Sequence, residues 1–151
     1  MCGICGFTWD DQNLIRSMGD KIKHRGPEQE GFYIDDHVSL CCERLRIQDL
    51  SEHAKQPIHN EDETIWVVLN GEIYNFQDLR NQLKDKHKFY TNSDTEVIVH
   101  AYEEYGEDFI SKLNGMFAFA VYDVTKKKLL IFRDRLGVKP LFYAKNSGGQ
   151  L

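Results

Sequence analysis

Turn-forming residues recur at short intervals along the whole chain and cut its apolar runs into pieces that fit only strands and brief helices. Met116 to Asp123 and Leu129 to Asp134 flank Thr125 to Lys128 as one hairpin, and segments 31–35 and 38–43 flank Asp36-His37 as another. Residues 3–9 read as a short buried strand. Thr64 to Leu69 is a β-branched and aromatic run stopped by Asn70-Gly71, a pair that tolerates positive φ at both positions and is therefore a strong hairpin-turn signal. Leu141 to Ala144 adds one more candidate strand. Leu14, Met18 and Ile22 recur at four-residue spacing behind the capping candidates Asp10 and Asp11, which predicts an amphipathic helix ending near Gly26-Pro27. Two further one-sided helices carry Phe76, Leu79 and Leu83, and then Val97, Ile98, Ala101, Tyr102 and Tyr105 before Gly106. Hairpins outnumber strand-helix-strand units, so the expected class is α+β, antiparallel sheet with helices packed outside it.

The 151 residues suit one domain with a sizeable core and no staple of metal or disulfide. A net charge of -5 with scattered Lys and Arg gives no electrostatic footprint for nucleic acid or an anionic membrane. The longest mostly apolar stretch, Met116 to Tyr122, is far too short to span a bilayer. The N-terminus has neither a basic n-region nor an apolar h-region, so a cytoplasmic location is expected, with reduced thiols at Cys2, Cys5, Cys41 and Cys42.

Cys2 is the most suggestive of these. Once Met1 is removed, its residue carries both a thiol and the chain's free α-amine, hence a nucleophile and a general base whose ordinary pKa values lie within about one unit of each other. The ordinary reading of such a cysteine is a small core residue. A four-cysteine zinc site is disfavoured because adjacent strand residues such as Cys41 and Cys42 point to opposite sheet faces. Asn70-Gly71 is by default a turn, but a turn so fixed can aim an amide and a backbone N–H at one oxyanion. Ser93 with Glu96 fits a capping box, and Asp94 would then be an ordinary first-turn acid. Arg44 at a strand end suits bidentate capture of a carboxylate. The six histidines show no paired ligand spacing, no phosphate loop is present, and no metal is expected.

Met1-Cys2-Gly3-Ile4, His24-Arg25-Gly26-Pro27, Arg44-Leu45 with Ile47, Asn70 to Asn75, Ser93-Asp94-Thr95-Glu96, Gly115 to Phe119, and Arg133-Asp134 with Gly137 and Pro140-Leu141 follow one another along nearly the whole chain. Together they resemble the class II glutamine amidotransferases of the N-terminal nucleophile type, and within them the glutaminase domain of asparagine synthetases. The resemblance implies a four-layer αββα sandwich of two antiparallel sheets. It implies that Cys2 attacks glutamine to give a thioester while its α-amine shuttles the proton. Asn70 and the Gly71 N–H would hold the oxyanion, Arg44 the substrate carboxylate, and Asp94 with the backbone near Gly71 and Glu72 the substrate ammonium. Leu45 and Ile47 would line the pocket. It further implies a single glutaminase domain over 1–151, truncated at its C-terminal end, with no cofactor of its own. ATP and Mg belong to an absent synthetase domain that takes the ammonia, and a homodimer is an expected assembly. Arg46 stands where the family has a small residue and Glu28 where it has Asp, so a locally altered pocket is expected. Two alternatives stand beside this reading: the same glutaminase serving another acceptor such as a polysaccharide sugar, and a non-catalytic interaction or metal-binding domain with structural Cys2 and Cys5.

Overall fold

A computed structural model describes residues 1–151. In chain order the elements are β1 (Gly3–Phe7), α1 (Gln12–Ile22), β2 (Gln29–Ile34), β3 (Ser39–Arg44), β4 (Ile58–His59), β5 (Ile65–Ile73), α2 (Phe76–Leu83), α3 (Glu96–Tyr105), β6 (Gly115–Asp123) and β7 (Lys128–Arg133), with 3-10 turns between. The strands form two antiparallel sheets, ordered β1-β3-β2 and β4-β5-β6-β7. Both predicted hairpins are present: Ile34 pairs with Ser39, and Asp123 with Lys128.

The two-residue repeat of a strand sorts the side chains into layers. Val67, Leu69 and Ile73 of β5 and Phe117, Phe119 and Val121 of β6 face outward and bury α2 and α3 in the main core, against Leu79, Leu83, Ile98 and Tyr102. Val68, Ala120 and Tyr122 face the other way and meet Leu40 and Cys42 of β3 between the sheets. Cys41 and Phe7 point out of the first sheet onto Ile15 of α1. The result is the four-layer αββα sandwich, with helices on both outer faces. Burying one Phe such as Phe119, which is fully enclosed, contributes about 1.5–3 kcal/mol.

Local chemistry explains the helix ends. The Asp11 carboxylate, rather than Asp10, caps α1 by accepting from the Leu14 N–H at 2.8 Å, a contact worth about 1 kcal/mol. Gly106 ends α3 at a φ of 57°, a left-handed backbone that a Cβ would strain. The apolar stripe on α1 is displaced from the expected one. Ile15 and Gly19 are the buried residues, while Leu14 is 38% exposed. Gly19 permits this approach, since a Cβ there would lie 2.9 Å from the Cys41 sulfur.

Three expectations are corrected. Asn70-Gly71 is not a turn: β5 runs straight through it, pairing Asn70 with Ala118 and Gly71 with Phe117. Gly71 serves close approach instead, because an added Cβ would meet the Met116 carbonyl oxygen at 2.3 Å and the Phe117 Cα at 2.6 Å. The Ser93–Glu96 capping box does not form. Glu96 turns back to accept from the N–H groups of Tyr90 and Thr91 and from the Thr91 hydroxyl, and the Ser93 N–H donates to Thr91 Oγ1. Leu141 to Ala144 forms no strand, having no ladder partner beside it; Phe142 and Tyr143 are largely exposed. No helix is long and apolar enough to cross a membrane.

Candidate functional site

The layer that buries Leu40 and Val68 also decides where the chemistry can lie. Cys2 shares the inward parity of Ile4, Arg44 that of Cys42, and Asn70 and Glu72 that of Val68, so side chains from both sheets converge at one end of the intersheet space. A cavity of about 60 Å³ opens there, walled by Cys2, Arg44, Leu45, Ile47, Gly71, Glu72 and Asp94. Asn70 is outside that wall but on the same inward face, 5% exposed. The face argument against a four-cysteine cluster also holds: Cys2 and Cys42 pack between the sheets, Cys5 and Cys41 against α1.

The Cys2 thiol is lowered to about 7. The Cys42 thiol beside it contributes most as a donor to the thiolate, burial opposes, and the N-terminal ammonium and Arg44 add favourable charge. The backbone hydrogen bond with Leu45 lowers it further, and the Leu45 carbonyl lies 3.8 Å from Sγ. Cys42, fully buried, is pushed up and stays a thiol. Arg25 ties down the entry strand by donating from Nε to the Cys2 carbonyl at 3.2 Å.

Arg44 is 3% exposed and has no carboxylate partner. Its guanidinium instead donates to neutral acceptors: Gln29 Oε1 at 2.6 Å and Ser51 O at 3.4 Å from one nitrogen, Asp49 O at 2.6 Å and Gln48 O at 2.9 Å from the other. A buried cation held without a counter-ion leaves its charge available to an anionic ligand. On the facing sheet the signs reverse. Asp94 is 5% exposed and accepts from the Ile73 N–H at 2.8 Å; burial pushes its carboxyl up. Burial raises Glu72 as well, and Asp94 raises it further.

The backbone offers one more donor. Leu69 N–H goes to the Gln56 side-chain oxygen at 2.6 Å and Ile73 N–H to Asp94 at 2.8 Å, both on the edge of β5 away from β6. By the strand repeat the Gly71 N–H points the same way, between them, and no side chain accepts from it. The Asn70 side-chain oxygen is buried without a partner. Leaving such an acceptor unpaired costs about 1–3 kcal/mol.

Sequence reasoning does not single out the other wall residues. Gln48, Gln56, Ser93, Thr95, Met116 and Lys139 line the cavity; Lys139 is 3% exposed and donates to the Met1 sulfur. Gln48, Gln56 and Lys139 lie outside the quoted motifs, so only the fold gathers them, while Ser93, Thr95 and Met116 lie within motifs that do not mark them as wall residues. Arg46 stays out of the wall. Its guanidinium pairs with Glu52 and the Leu50 carbonyl, and its N–H donates to Glu28 Oε2 at 2.6 Å, so the two departures from the family pattern contact each other away from the cavity.

The glutamine amidotransferase domain family matches residues 1–151. Asparagine synthetase [glutamine-hydrolyzing] 1 of Bacillus subtilis is 43% identical over 152 residues, covering 95% of this chain and 24% of the relative. Asparagine synthetase B [glutamine-hydrolyzing] of Escherichia coli is 46% identical over 130 residues, covering 86% and 23%. The chain thus spans about a quarter of the length of these relatives. Among solved structures, the glutamine phosphoribosylpyrophosphate amidotransferase of B. subtilis superposes with a TM-score of 0.70 at 19% identity, over 90% of this chain and 38% of that one, and shares the fold. A full-length family match, these identities and that shared sandwich place the chain in the glutamine amidotransferase domain family, homologous to the glutamine-hydrolysing portion of asparagine synthetases.

Proposed function

We propose that this domain hydrolyses glutamine through a thioester on Cys2 and supplies the ammonia to an ATP-dependent synthetase unit that amidates aspartate, as the names of its longer relatives suggest. The observation that carries the substrate is the charge pattern of the cavity: a buried guanidinium without a counter-ion on one side, two burial-raised carboxylates without an ion-pair partner on the other, and a thiol of lowered pKa beside them. That pattern complements an α-amino acid zwitterion whose side chain reaches the thiol.

In this reading Arg44 takes the glutamine carboxylate and Asp94 with Glu72 its ammonium. Removal of Met1 makes the Cys2 amine the chain terminus. Cys2 Sγ attacks the side-chain amide carbon, and the oxyanion is held by the Asn70 amide and the Gly71 N–H. The amine passes the thiol proton to the leaving nitrogen, so the C–N bond breaks as ammonia departs. Water, deprotonated by the same amine, then cleaves the thioester to glutamate and regenerates the thiol. The proteins with Met1 in place have no such amine, and Met1 itself stands in the cavity wall.

Intact mass and N-terminal sequencing, before and after exposure to a γ-glutamyl electrophile, test the proposal. A chain beginning at Cys2 and labelled once there is expected. A processed, folded chain left unlabelled at Cys2 would refute it.

A further inference from the structure

A second cluster lies on the far side of α3 and shares no residue with the Cys2 cavity. His100 and Glu103 stand one turn apart on α3, His87 follows α2, and Glu61 sits in the turn between β4 and β5. One ligand atom from each lies within 4.8 Å of all the others. His87 Nδ1 is 3.4 Å from Glu103 Oε2, His100 Nδ1 is 2.9 Å from the same oxygen, and His100 Nδ1 is 3.8 Å from Glu61 Oε2. A tetrahedral zinc ion with nitrogen and oxygen ligands at about 2.0–2.1 Å places its donors roughly 3.3–3.5 Å apart. The three separations straddle that value.

The groups behind the donors are arranged in the same sense. His100 Nε2 faces the Glu96 carboxylate at 3.6 Å and His87 Nε2 faces Glu104 at 3.6 Å. Both nitrogens are buried and lack a hydrogen-bond partner. Ligating imidazoles characteristically turn their second nitrogen to a carboxylate, which fixes the ring and strengthens the ligand. Each acidic ligand also has its other oxygen anchored: Glu103 Oε1 accepts from Asn60 Nδ2 at 2.9 Å, and Glu61 Oε1 from the Lys88 N–H at 2.5 Å. The two Oε2 atoms are left facing the imidazoles.

We propose that His87, His100, Glu61 and Glu103 form a structural zinc site that pins the β4–β5 turn and the segment after α2 to α3. A lone imidazolium explains less. Burial disfavours a charged His100, yet Glu103 and Glu96 outweigh that and raise it to about 9; this accounts for one ring, not for a second ring whose centroid lies 5.0 Å away and which faces the same carboxylate oxygen. One dication bound to both rings answers the whole arrangement. No sequence spacing announces it, because the histidines are thirteen positions apart and on different elements.

The test is zinc titration of the chelator-stripped full chain against a chromophoric competitor, alongside Glu61→Gln and His87→Gln. The Glu61 side chain reaches the surface and Gln there keeps the acceptor for Lys88, so this variant retains the fold and carries the test should the more enclosed His87→Gln fail to fold. One zinc per chain is expected, with a rise in the thermal midpoint on binding and at least a tenfold loss of affinity in either variant. Cobalt should give tetrahedral d–d bands without a thiolate charge-transfer band. Absence of stoichiometric binding, or binding of unchanged affinity in both variants, or a thiolate band assigning the ion to the cysteines, would each overturn the proposal.

Discussion

Asp94→Asn separates what the cavity does for glutamine from what it costs the fold. The substitution is nearly isosteric and keeps an oxygen to accept the Ile73 N–H now received at 2.8 Å; the Ser93 hydroxyl, at 3.4 Å from Oδ1, can turn to accept from the new amide. What disappears is a negative charge at a site that is 5% exposed, where burial already disfavours the ionised form, and its repulsion of Glu72. Relief of such a functional-site penalty is commonly worth about 0.5–2 kcal/mol. The raised folded-state pKa means that the native state binds its proton more tightly than the unfolded chain. Wild-type stability is therefore lost as pH rises from the ordinary carboxylate value near 3.9 through the raised one. The advantage of the variant should be complete at pH 7 and vanish on acidification through that window. Binding should move oppositely. A hydrogen bond from the substrate ammonium to a carboxylate is worth about 1.5–3 kcal/mol, so the KM for glutamine should rise roughly 10- to 150-fold with a smaller change in kcat. Urea unfolding at pH 7 and pH 4, together with glutaminase assays, reads both halves. A variant that is less stable than wild type at pH 7, or that keeps its KM, would refute the reasoning.

Gly71→Ala should destabilise by about 1–3 kcal/mol or more, because both obstacles, the Met116 carbonyl at 2.3 Å and the Phe117 Cα at 2.6 Å, are backbone of the paired strand; an unfolding midpoint indistinguishable from wild type would show that β5 and β6 do not need this approach. Arg44→Lys offers three donors to four acceptors, and each acceptor left unmet costs about 1–3 kcal/mol; denaturant unfolding should show the loss, and glutamine affinity should fall with it. Alkylation of Cys2 in the Met1-bearing chain should accelerate as pH rises through about 7, since the thiolate is the reactive form; a midpoint near that of an ordinary thiol would mean that Cys42 and the cations do not act on it.

Periodicity alone located most strands and the three helices, and it correctly set Cys41 and Cys42 on opposite faces, since the two-residue repeat needs no knowledge of the partner strand. It could not say what Gly71 is for. A glycine that frees φ and one that lets another backbone pass look identical in sequence, and the backbone that passes is supplied by Met116 and Phe117, some 45 positions away. Glu96 shows the same blindness at short range. Its spacing from Ser93 satisfies a local cap, but the preceding loop offers the N–H groups of Tyr90 and Thr91 at 2.7 and 2.8 Å, together with the Thr91 hydroxyl at 2.6 Å, and a buried carboxylate takes the richer set of donors.

The site divides along the same line. Cys2 is legible because a thiol at a chain end is unusual for its position, whereas Arg44 on a strand and Asp94 near a helix start are ordinary there and stand out only through the ordered motifs of the family resemblance. Gln56 and Lys139 are not legible, being ordinary polar residues until the segment before β4 and the segment after β7 bring them to the cavity. Gln56 illustrates how such a residue earns its place. By taking the Leu69 N–H with one atom of its amide and donating to Thr95 Oγ1 with the other, it closes the free edge of β5 on one side as Asp94 closes it on the other. The Gly71 N–H between them is thereby left as the one donor on that edge still pointing into the space beside Cys2. The sequence draws attention to Cys2; the free backbone donor beside it exists only because two side chains from outside the strand have taken the neighbouring ones.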